Sequence, residues 1–179
     1  MSGYDRFKEE YVRLTEMGVT ITSKDKSLKW LWKFIHYFLL VITFGKMSNF
    51  YSDFTTTFGK GIYFPDGWTP ENAGPRGYIV LRHEGKHVRD YIKYGLGSSK
   101  LGIVVMGFLY LFIPIFIGFS WFRLKFEREA YLEGILAWSE LGVERDIEPY
   151  VGLLTGPEYF WAWHSKKQVR DWFNKELGR

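Results

Sequence analysis

The sequence predicts a mostly helical α+β fold with one small sheet. Three observations carry this expectation. Apolar residues recur at helical spacing near the N-terminus, between Asn72 and Tyr94, and through Leu132, Ile135, Leu136 and Trp138. Only one stretch, Phe54 to Pro65, has the threonine and aromatic content of strands. A third stretch, Leu101 to Phe122, carries no charged residue. The chain of 179 residues has the length of one domain. Its expected order is N-terminal helices over 1–50, a strand and a long helix over 51–95, an apolar hairpin over 96–122, and two helices over 123–179.

Residues 3–17 read as an amphipathic docking helix, with Tyr4, Phe7, Tyr11 and Leu14 on one side. An aromatic-rich run follows from Trp30 to Phe44, interrupted by Lys33 and His36. His36 is expected to be a packed or interfacial histidine and not a ligand. In the β stretch, Gly59-Lys60-Gly61 supplies a turn, so the two halves predict a hairpin. The next helix has Asn72 as its expected N-cap and Pro75 in its first turn. Gly95 and Gly97 offer its stop after Tyr94.

That helix contains His83-Glu84-Gly85-Lys86-His87. Residues four apart on a helix stand one above the other, so both imidazoles can reach one ion. Glu84 lies beside them, where it can accept a proton from a metal-bound water. Asp90 falls near the same face and could orient a ligand imidazole, or serve only as a carboxylate next to Arg89. A catalytic metal wants a third protein ligand. The extension by which metzincin-type zinc peptidases supply their third ligand would need Gly at position 90 and His at 93; Asp90 and Lys93 stand there, so the chain does not resemble that family and the ligand is sought later. Glu127 is the best candidate. It shares a helix face with Ala130, whose small side chain permits a close helix approach, and Glu129 and Glu133 are its rivals.

With these two motifs the chain resembles the gluzincins, zinc peptidases whose third ligand is a glutamate on a second helix. The likeness spans roughly Phe54 to Trp138 and suggests a minimal, single-domain member. Tyr131 departs from it, standing where an acidic residue is common, and so do Lys86 and Arg89, where uncharged residues are preferred. The resemblance implies a zinc ion (Zn2+) held by His83, His87 and Glu127, with Glu84 as general base in peptide hydrolysis. It also implies that the β stretch borders the cleft and pairs with an extended peptide substrate. An oxyanion donor is expected from His164, Tyr131 or Tyr159. The alternative is a membrane-associated structural or interaction protein with a structural or vestigial metal site.

The uncharged run Leu101–Phe122 has the length of a membrane span. A single crossing would separate His87 from Glu127, so a shared ion requires the run to turn back. Pro114 near its middle predicts a hairpin of two short helices, either buried or dipped into a membrane face. The tail from Gly156 to Leu177 reads as a helix starting near Pro157. Cysteine is absent, which excludes disulfides and thiolate metal sites. The net charge of +4 is spread among acids, unlike the basic stripe of a nucleic-acid binder. No leader pattern opens the sequence, which predicts a cytoplasmic or peripheral membrane location. Oligomeric state is not legible.

Overall fold

A computed structural model describes residues 2–42, 50–109, 121–156 and 165–179. The fold is mostly helical, with a three-stranded mixed sheet. Its contacts divide the chain into two compact units, Met1–Val88 and Arg89–Arg179. The boundary falls inside one continuous helix, Gly74–Tyr94.

The first unit opens with α1 (Gly3–Glu16). Ser2 caps it reciprocally with Asp5: the serine hydroxyl accepts from the Asp5 amide, and the Asp5 carboxylate accepts from the Ser2 amide. Of the expected face Phe7 and Leu14 are buried and Tyr4 and Tyr11 half-buried, and Glu10, which the apolar spacing did not include, is buried with them. Strand β1 (Thr20–Ser23) follows, then α2 (Lys29–Ile42) and the short α3 (Phe50–Asp53). The β stretch folds as the expected hairpin, β2 (Thr56–Phe58) and β3 (Gly61–Phe64), paired antiparallel. Gly59 turns it with φ +60°, a conformation that favours glycine. The sheet order is β1-β3-β2, with β1 parallel to β3 in register Thr20↔Gly61. Among the described residues β3 is central and wholly buried, and β2 is an edge strand.

A 3-10 turn, Pro70–Asn72, precedes α4 (Gly74–Tyr94). This corrects the expected cap. The Asn72 side chain accepts from the Thr69 amide and donates to the Gly67 carbonyl, so it serves the turn and not the helix. Glycines on α4 let α1 come close. A Cβ at Gly85 would lie 3.3 Å from Leu14, and one at Gly77 would lie 3.0 Å from the Phe7 ring.

The second unit contains the end of α4, then α5 (Ser99–Gly107), α6 (Trp121–Glu140), α7 (Glu148–Leu154) and α8 (Lys166–Glu176). Its core gathers Leu124, Ile135, Ile147, Val151, Leu154, Val169 and Phe173. Backbones approach closely where α5 leaves α4: a Cβ on Gly102 would fall on the Tyr91 carbonyl. The first part of the uncharged run is therefore helical, as α5. Its expected break at Pro114 lies outside the described residues, as does the hairpin built on it. The start of a helix near Pro157 also lies outside them, and α8 begins at Lys166. Among the described residues no helix is long and apolar enough to cross a membrane.

Candidate metal centre

His83 and His87 lie one turn apart on α4, with ring centroids 5.1 Å apart and nearly perpendicular planes. Glu127 lies on α6 and is buried. One ligand atom from each of the three comes within 4.8 Å of the other two. The three residues expected to hold a metal are thus brought together. Contacts within the second unit fix α6 to the end of α4. Arg89 pairs with Glu133 at 2.8 Å, Lys125 donates to the Tyr94 hydroxyl at 3.2 Å, and the Tyr94 and Phe126 rings meet edge-on. Ala130, three residues after Glu127, is fully buried, in keeping with a small residue at a close approach.

The rival ligands separate on this geometry. Glu133 is engaged by Arg89, so its carboxylate already has a cationic partner. Glu129 is half-buried and does not join the group of three. Asp90 is buried on the same helix. Tyr131 packs its ring on Tyr150, 5.4 Å away, against the core of the second unit. His36 sits on α2 with its ring against Tyr37. His164 and Tyr159 lie outside the described residues.

The donor set fits a small divalent cation. Tetrahedral bonds of about 2.0–2.2 Å put ligand atoms about 3.4 Å apart. Separations within 4.8 Å therefore need to close by at most about 1.4 Å, which side-chain rotation supplies. Among the described residues the group supplies two imidazoles and one carboxylate, one ligand fewer than the four of a closed structural site.

Glu84 is buried, and its carboxylate has a defined partner. The Thr57 hydroxyl on β2 donates to Glu84 Oε2 at 2.7 Å. Thr57 stands opposite Ile62, which is fully buried, so the two share one face of the sheet. The edge strand thus holds the one carboxylate that lies between the two histidines in sequence. The charge of Glu84 also acts on Lys24, a fully buried residue just after β1. Lys24 Nζ donates to the Phe54 carbonyl at 2.6 Å and lies over the Trp32 ring. Burial pushes its pKa down to about 8, against the opposing pull of the Glu84 and Asp53 charges.

A pH dependence follows for Lys24. Between about 8 and 10.5 the folded chain releases this proton while the unfolded chain still holds it. Stability therefore rises with pH in that window, and the burden of a buried ammonium is fully present below it. Denaturant melts of the parent and of Lys24→Met should converge or cross as pH rises from 8 toward 10.5. A constant difference between the two across that range would show that Lys24 titrates normally.

Sequence reasoning did not find Thr57 or Lys24 as neighbours of the site. In sequence Thr57 is legible only as part of a strand, and nothing there says which strand residue faces the helix. Lys24 stands in Ser23-Lys24-Asp25-Lys26, which has the look of an exposed turn. No protein-family model matches the chain, and no curated protein or solved structure does either.

Proposed function

We propose that the chain is a gluzincin-type zinc peptidase. The observation that carries this reading is the convergence of His83, His87 and Glu127, with Glu84, next to His83 in sequence, accepting from Thr57 on the edge strand. Two imidazoles, one carboxylate and an open position suit zinc among the common divalent ions. When bound, such an ion supplies Lewis acidity at the substrate carbonyl and lowers the pKa of water toward neutrality. The chain's own residues do the rest. Glu84 takes a proton from the attacking water and delivers it to the leaving amine. β2, at the edge of the sheet, offers main-chain hydrogen bonds to an extended peptide. Tyr131 and His164 are the candidates for stabilising the oxyanion.

Thr57 is a positioning residue in this scheme, because it acts on the substrate only through Glu84. A hydrogen bond to a charged group contributes about 1.5–3 kcal/mol. Thr57→Val should therefore lower kcat by about tenfold or more, with metal content and KM little changed. Thr57→Ser should restore most of the rate. Equal rates for parent and Thr57→Val would remove Thr57 from the scheme.

The reading as a whole is tested on a mixture of unstructured peptides, with cleavage followed by mass spectrometry. The zinc-loaded protein should cut internal peptide bonds, lose that activity to a chelator and regain it with added zinc. A protein that binds zinc and cuts no peptide would favour a structural site.

A further inference from the structure

Helix α2 is apolar on two sides. Its inner side is anchored by Trp32, which is buried, packs its ring at a tilt against Tyr63 with centroids 4.8 Å apart and donates its indole N–H to the Ser27 carbonyl. Ile35 and Tyr51 complete that cluster. Its outer side carries Trp30, Phe34, Tyr37 and Val41, each 63–73% exposed. Their spacing of four, three and four residues makes one continuous stripe along the helix. A large outward apolar stripe costs solvation unless something covers it.

The charge around the stripe says what covers it. Lys26, Lys29 and Lys33 fall between positions 26 and 42, and no aspartate or glutamate does. Lys26, Lys29 and Lys33 are exposed, and Lys33 follows the stripe on one flank of the helix. Aromatic residues on one face with lysines beside them form the pattern of a helix lying in a lipid interface. The rings enter the boundary between headgroups and chains, and the ammonium groups meet anionic headgroups.

We infer that the outer face of α2 docks this protein on an anionic bilayer surface, with Trp30, Phe34, Tyr37 and Val41 inserted and Lys29 and Lys33 on the headgroups. The inference is independent of the metal centre, because it uses no residue of that site. It describes a helix lying on a membrane, in keeping with the lack of a spanning helix among the described residues.

Sedimentation with vesicles tests it. The full chain is mixed with vesicles of phosphatidylcholine alone and with vesicles containing phosphatidylglycerol, at low and high salt. The parent should sediment with the anionic vesicles, and that binding should weaken as salt rises. Trp30→Ser with Tyr37→Ser should weaken it by about tenfold or more. Lys29→Glu with Lys33→Glu should weaken it by about tenfold or more on anionic vesicles. The lysine changes lie at exposed positions, so they report on binding even where the aromatic changes disturb folding. Circular dichroism checks both variants. A parent that stays in solution with anionic vesicles would overturn the inference, and so would either double variant binding like the parent. A parent that is dimeric in light scattering and made monomeric by Trp30→Ser with Tyr37→Ser would also overturn it, assigning the stripe to a second copy.

Discussion

Glu84→Gln is expected to keep its zinc and lose peptide cleavage by about 10²–10⁴-fold. The amide has nearly the shape of the carboxylate, so the packing of this buried position should survive. It cannot take a proton from water at neutral pH, so general-base chemistry stops. The amide oxygen can still accept from the Thr57 hydroxyl, which now lies 2.7 Å from Oε2. The substitution therefore isolates proton transfer from structure. Zinc affinity is the internal control, since Glu84 lies outside the three ligand residues. Loss of zinc in Glu84→Gln would instead make Glu84 a ligand and displace the proposed scheme. Retained cleavage would assign the base elsewhere.

The second large effect concerns the third ligand. Glu127→Ala is expected to weaken zinc binding by more than about a hundredfold, since one of three protein ligands is removed. Glu129→Ala should change it by a few-fold at most. One residue, Arg128, separates these two glutamates in sequence, but only Glu127 joins the two imidazoles. Glu133→Ala should resemble Glu129→Ala in zinc affinity, although it frees Arg89 from an ion pair that fixes α4 to α6. Zinc titration against a competing chromophoric chelator ranks the three. If Glu129→Ala proves the weakest binder, the register on α6 must be moved by two residues.

Helices α1, α4 and α6 and the grouping of His83, His87 and Glu127 were legible because they rest on local periodicity, whereas the short α3 and α7 were not. The four-residue spacing of His83 and His87 is a property of any helix. Glu127 was ranked first because its helix register puts Ala130 on the same face, and Ala130 is fully buried. The hairpin was legible from Gly59-Lys60-Gly61 between two threonine- and aromatic-rich arms. β1 was not, because four residues, Thr20–Ser23, are too few to establish an alternation. Its position depends on parallel pairing with β3, far along the chain. The cap of α4 failed for a related reason. Asn72 is a good capping residue, but Thr69 and Gly67 compete for its amide group and the 3-10 turn wins it. The supports of Glu84 were invisible for the same cause. A one-residue shift in strand register would turn Thr57 to the opposite face of the sheet. Nothing local to Lys24 indicates burial, which arises from Trp32 and the carbonyl of Phe54.

Metal content of the purified protein tests the central claim most directly. Elemental analysis after dialysis against trace zinc should find about one zinc ion per chain in the parent. His83→Ala and His87→Ala should each lose it while keeping their helical circular dichroism. A parent that takes up no zinc, or variants that bind it as the parent does, would contradict the assignment of His83, His87 and Glu127 as a metal centre.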